Sequence, residues 1–159
     1  MRGLRSWLLE YNEHHADAHN RAIHGLCIPA TVFALCCVFR AIPVGDALWN
    51  PASLALLGWL AFYLCLSWQL ALGMLMVFAF MYSGALLLES AVGGPGPLFV
   101  LAALMFGSSL CAQWLGHRRE QQQPTLLQHL RLFLIAPLWQ LADGYRRLQI
   151  PVGGLASPR

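Results

Sequence analysis

ASLALLGWLAFYLCLSWQLALGMLMVFAFMYSGALLL, residues 52–88, runs for 37 residues without a charged side chain or a histidine. As one helix it would reach roughly 55 Å at about 1.5 Å per residue. The hydrocarbon core of a bilayer is about 30 Å thick. The run therefore reads as two membrane spans joined by a tight turn. Ser67–Gly73 fits the turn best, because Trp68 and Gln69 bring interfacial and polar groups there.

The flanks extend this pattern. Residues 22–39 (AIHGLCIPATVFALCCVF) form an earlier apolar run containing Pro29, which spanning helices tolerate. Residues 40–51 (RAIPVGDALWNP) read as a loop, as do residues 89–97 (ESAVGGPGP). Residues 98–115 form a fourth span, with Gly107, Ser108 and Ser109 suited to helix packing. At the N-terminus, Trp7, Leu8 and Tyr11 are spaced for one face of a short interfacial helix. That helix should end near His14 or His15, with Asp17 capping the next. Residues 125–149 are apolar but broken by Gln128, His129, Arg131, Pro137 and Gln140, which suits an amphipathic or re-entrant helix.

The expected fold is all-α: a polytopic membrane protein of about four transmembrane helices, with N-terminal and C-terminal interfacial or re-entrant helices. It reads as a single domain, 1–159. Residues 1–21 are an interfacial segment and 22–115 the spans. Residues 116–149 are a polar loop and amphipathic helix, and 150–159 a tail.

Composition agrees. The chain is 58% hydrophobic and 11% charged, with a mean hydropathy of +0.56. A soluble domain carries about 25% charged residues. This excludes a soluble enzyme, a disordered chain and a nucleic-acid binder. The ten basic residues are all Arg, and none lies between Arg40 and Arg118. With four spans, nine of the ten flank one membrane face and only Arg40 falls on the other. The positive-inside rule then puts both termini in the cytoplasm, with a bacterial inner membrane as the expected location. A fifth span at 125–142 would put Arg146, Arg147 and Arg159 outside, which the rule disfavours. Residues 1–22 contain no early apolar stretch, so no secretory leader is expected. The five cysteines are odd in number and form no CxxC pair; they read as free, buried thiols.

The six histidines, His14, His15, His19, His24, His117 and His129, all lie outside the uncharged middle. Four spans are an even number of crossings. His117 therefore returns to the face where His15 and His24 sit, and imidazole suits Fe, Zn, Cu or Ni. His15 and His19 share a helical face. His15 and His24 are opposed on an unbroken helix and converge only if the chain breaks between them, which the Asp17 cap allows. Asp17 and Glu120 flank the two halves, so a two-His, one-carboxylate iron site also fits. The plain alternative for each histidine is a polar tip in the headgroup layer.

YNEHHADAHNRAIHGLCIP (11–29), QWLGHRREQQQPTL (113–126) and LIAPLW (134–139) together resemble the 2-hydroxy fatty acid dioxygenase family. The first pattern is carried by Tyr11, His15, Asp17, Asn20, His24 and Pro29. The second is carried by Gln113, Gly116, His117, Glu120, Pro124 and Leu126. The stretch from His117 to Pro124 is one residue shorter than usual. Gln121, Gln122 and Gln123 replace the usual basic residues.

The resemblance implies an Fe(II) enzyme of fatty acid α-oxidation. It would use O2 to shorten a 2-hydroxy fatty acid by one carbon and release CO2. His15, His24 and His117 would be the metal ligands, and His14, His19 and His129 match no family position. Glu120 would orient His117 or another ligand, or make a surface ion pair. Asn20 and Gln113 would hold ligands or water, and Tyr11 would contact substrate or serve simply as an interfacial aromatic. Arg118 and Arg119 read first as topogenic and phospholipid contacts. The implied partners are the hydroxy acid, O2 and membrane lipids, with no nucleic acid; the oligomeric state stays open. Two other readings also stand on the residues alone. One is a non-enzymatic scaffold or carrier with interfacial histidines. The other is an iron-dependent lipid hydroxylase, whose HxxxH box His15 and His19 would supply, although no second box follows.

Overall fold

Each helix end in this chain has an identifiable cause. The structure, a computed structural model, describes residues 3–15, 17–118 and 126–152. Among them it forms six α-helices and no strand: α1 (Leu4–Glu13), α2 (Ala18–Arg40), α3 (Pro51–Leu66), α4 (Trp68–Val92), α5 (Pro95–His117) and α6 (Leu126–Arg147). Asp17 is extended (φ −69°, ψ 128°), and its carboxylate accepts the Asn20 N–H at 2.8 Å, which starts α2. Asn50 starts α3 through a capping box. Its carboxamide oxygen accepts from Ala52 and Ser53, while the Ser53 hydroxyl accepts the Asn50 N–H.

Two turns are tighter than the sequence predicts. Ser67 alone, extended at φ −164°, ends α3 and starts α4, so the turn is one residue and not 67–73. The predicted loop 89–97 shrinks to Gly93–Gly94. Gly93 takes the left-handed φ of +88° and closes α4 with its N–H on the Glu89 carbonyl. Pro95 then opens α5 at a position where no N–H is needed. Gly and Pro here are helix punctuation, not a loop.

α2, α3, α4 and α5 run up and down in turn as an antiparallel bundle, with α2 and α5 its most extensively packed pair. At one end lie the start of α2, the end of α3, the start of α4 and the end of α5. α1 and α6 close this end. The other end is joined by the residues 41–50. There Tyr82 donates to the Ala47 carbonyl and accepts from the Asn50 carboxamide. Arg40 pairs with Glu89 at 2.9 Å, both side chains mostly buried. That pair neutralises the one Arg which the charge pattern leaves at this end.

Three helices, α2, α4 and α5, are long and apolar enough to cross a membrane. α3 is also apolar, but its 16 residues reach only about 24 Å. It is the shorter member because residues 41–50 descend beside α4 before Asn50 starts it. The bundle's outer face is apolar: Leu26 is 78% and Phe80 81% exposed, with Leu57, Leu72, Met76 and Leu104 alongside. So wide an apolar exterior matches a lipid surrounding. The cysteines are free, as expected, but only Cys36 and Cys37 are buried. Cys65 and Cys111 face outward among the apolar residues.

Asn50→Ala removes the capping box and the link to Tyr82. It should cost about 1–2 kcal/mol, read as a lowered midpoint in denaturation of the detergent-solubilised protein.

Candidate metal centre

The closed end of the bundle gathers His15, His24 and His117, all buried. Their ring centroids lie 4.5 Å (His15–His24), 5.0 Å (His15–His117) and 4.7 Å (His24–His117) apart. The rings meet edge to face, at interplanar angles of 65–78°. One ligand nitrogen from each lies within 4.8 Å of the other two. Imidazoles bind an ion at about 2.1 Å, and three nitrogens this close together are a candidate ligand set for a single ion. The donor set fits a late first-row divalent metal. Among the described residues this group contains no carboxylate. Asp17 instead caps α2. Glu120 lies outside the described residues.

Each histidine reaches the centre from a different local structure. His15 follows α1, whose last carbonyls have no helical donor. Its Nδ1 lies 2.9 Å from the Tyr11 carbonyl. A carbonyl only accepts, so Nδ1 carries the proton and Nε2 is left as the nitrogen available to an ion. Such a bond to the far nitrogen is the usual way to hold a metal-binding imidazole. The Tyr11 ring stacks on His15 at 4.0 Å, 2° from parallel. Burial raises the Tyr11 phenol well above its ordinary range, so it stays protonated. His24 lies in the second turn of α2, on the same face as Asn20, Ile28 and Thr31. His117 is the last residue of α5.

The α2–α5 contact depends on Gly116. A methyl group there would collide with the carboxamide oxygen of Asn20 and crowd Ile23. Asn20 is fully buried at this crossing, one turn from His24. Gln113, one turn before His117, donates to the Thr31 hydroxyl at 2.7 Å, and Thr31 donates to the Cys27 carbonyl. Gln113 thus ties α5 to α2 beside the histidines. His19 is exposed and outside the cluster. The Arg118 guanidinium lies 3.9 Å over the Trp114 ring.

Trp139, the last residue of the LIAPLW motif, and Gln140, neither given a site role from the sequence, secure this end. Trp139 of α6 donates to the Asn12 side chain at 2.8 Å and packs on Tyr11, 4.7 Å between centroids. Gln140 donates to the His24 and Gly25 carbonyls at 2.9 and 3.2 Å. Beside them an open cleft of about 750 Å³ separates the start of α2 from α6. It is lined by Arg21, Gly25, Trp139, Gln140, Asp143 and Arg147, among others.

An all-helical bundle with apolar spans and a buried three-histidine ligand set at one end defines a membrane protein with a candidate metal centre. The particular family follows from comparison. Residues 1–147 match the model of the 2-hydroxy-palmitic acid dioxygenase Mpo1-like family, and the chain belongs to that family. Searches of curated proteins and of solved structures found no match.

Gly116→Ala should displace Asn20 and separate α2 from α5 at the histidines. The expected outcome is a stability loss of about 1–3 kcal/mol, with metal binding weakened at least tenfold in a titration of the purified protein.

Proposed function

We propose that the chain is an iron(II)-dependent dioxygenase that removes C1 from 2-hydroxy fatty acids. The reaction balances as RCH(OH)COOH + O2 → RCOOH + CO2 + H2O. The C1–C2 bond breaks, C1 leaves as CO2, and C2 becomes the new carboxyl carbon. O2 is the oxidant. The observation that carries this reading is the convergence of three buried histidines in a chain of this family.

His15, His24 and His117 would hold the iron. When bound, the iron supplies O2 activation and a place for the substrate's carboxylate and 2-hydroxyl. The remaining roles belong to the chain. The Tyr11 carbonyl keeps the His15 proton on Nδ1. The Tyr11 ring covers one face of His15, and Trp139 covers Tyr11, so water is kept from that side. The Tyr11 hydroxyl is buried without a hydrogen-bond partner among the described residues. As a protonated donor it suits a substrate oxygen. Asn20 and Gln113 hold the α2–α5 crossing from which His24 and His117 project, and Glu120 is assigned to orienting a ligand. The acyl tail lies along the apolar helices, which matches a lipid substrate to the membrane. Both termini and the iron centre face the cytoplasm, in a bacterial inner membrane.

Incubating the iron-loaded protein with 2-hydroxypalmitate and O2 should yield pentadecanoate and CO2 in equal amounts. His15→Ala, His24→Ala or His117→Ala should abolish both product and iron retention, whereas His19→Ala should keep both. Product formation that survives an iron chelator, or full activity in the triple histidine variant, would contradict the proposal.

A further inference from the structure

Pro29 sits inside α2 and has no N–H. In an unbroken helix that N–H would serve the carbonyl four residues earlier, at Gly25. The proline therefore strips Gly25 of its helical donor, one residue after His24. That carbonyl lies on the exposed side of α2, beside the open cleft, where a donor from outside the helix can reach it. The Gln140 carboxamide does so from the far end of the sequence. Its Nε2 donates to Gly25 at 3.2 Å and to His24 at 2.9 Å. α6 has its own proline, Pro137, which removes the donor for Phe133. Next to Phe133, the Leu134 carbonyl accepts from Trp59 Nε1 at 3.0 Å and Tyr63 Oη at 2.7 Å. α6 is thus pinned to α3 at Leu134 and to α2 at Gln140, with Trp139 holding α1 between them.

The neighbourhood explains why one side chain can matter so much here. Ala18, Ala22 and Gly25 present small side chains to α6, and the open cleft separates the helices there. Close packing does not fix the second turn of α2 against α6. The pair of Gln140 hydrogen bonds, with the Arg21 guanidinium 5.7 Å over the Trp139 ring, fastens it, and His24 is on that turn.

We infer that Gln140 is a positioning residue for the metal centre. By replacing the hydrogen bond that Pro29 removes, it fixes the backbone of the His24 turn and so the place of the His24 ring. Its role is distinct from ligation and from substrate contact, and it rests on the proposed metal centre only for its functional readout. Removing a group that holds a ligand in place commonly weakens metal binding 10–100-fold.

The test pairs the two residues. Gln140→Leu keeps the volume and loses the donors. Pro29→Ala returns an N–H to Gly25. Co(II), as a spectroscopic probe, is titrated into the metal-free protein in detergent, and the thermal midpoint of that metal-free protein is recorded alongside. Gln140→Leu should weaken Co(II) binding at least tenfold, with altered visible ligand-field bands. In the Pro29→Ala background the same substitution should weaken it less than threefold. Gln140→Leu should also lower the thermal midpoint of the metal-free protein more when Pro29 is present than in the Pro29→Ala background. Unchanged Co(II) affinity in Gln140→Leu would overturn the inference. So would an equal effect in both backgrounds, since the carbonyl freed by Pro29 would then not be the target. If the unsubstituted protein binds no Co(II), the metal-centre reading fails instead. The thermal comparison still decides whether Gln140 answers Pro29.

Discussion

Nine residues along an unbroken helix turn a side chain through about half a circle. His15 and His24 can therefore meet only because the chain breaks between α1 and α2, and the site depends on that break. It is held from both sides. Asp17 supplies the acceptor that starts α2, and His15 uses an unsatisfied carbonyl at the end of α1 to hold its own ring. One interruption yields a helix cap, an oriented imidazole and the change of direction that the site requires. His117 then arrives by the even alternation of the four bundle helices.

The second constraint is closure of that end. Membrane-embedded helices gain little from hydrophobic burial against one another, so close approach and polar contacts carry the specificity. Gly116 gives the close approach between α2 and α5. Gln113 and Thr31 give the polar contact. α6 completes the end through side-chain bonds to backbone carbonyls one turn before a proline: Gln140 of α6 at Gly25 of α2, and Trp59 and Tyr63 of α3 at Leu134 of α6. Both prolines thus become docking points between helices. The buried Arg40–Glu89 pair plays a comparable part at the opposite end, where an unpaired charge would be costly.

Much of this was legible in the residues. The uncharged run 52–88 does split in two, at Ser67, and the break near His14–Asp17 follows from the N-cap preference of Asp17. The split charge pattern brings the two histidine groups to one end. Three features were less legible, for physical reasons. Turn lengths were overestimated because Gly93, Gly94 and Pro95 also serve as helix-end and helix-start residues. α3 fills its apolar run up to Ser67 but, at 16 residues, is shorter than the span expected of it, because residues 41–50 take up part of the depth beside α4, where Tyr82 secures them. The roles of Trp139 and Gln140 are long-range, and helical periodicity carries no record of a partner more than a hundred residues away. The one available signal was Pro29, which leaves the Gly25 carbonyl open to an outside donor without naming it.

The central claim is that His15, His24 and His117 bind one metal ion together. X-ray absorption at the iron edge of the Fe(II)-loaded, detergent-purified protein tests it most directly. The account predicts one iron per chain, about three imidazole nitrogens at about 2.1 Å, and the loss of one imidazole shell in His117→Ala. An iron-loaded protein with no imidazole scattering, or an unchanged spectrum in His117→Ala, would contradict it.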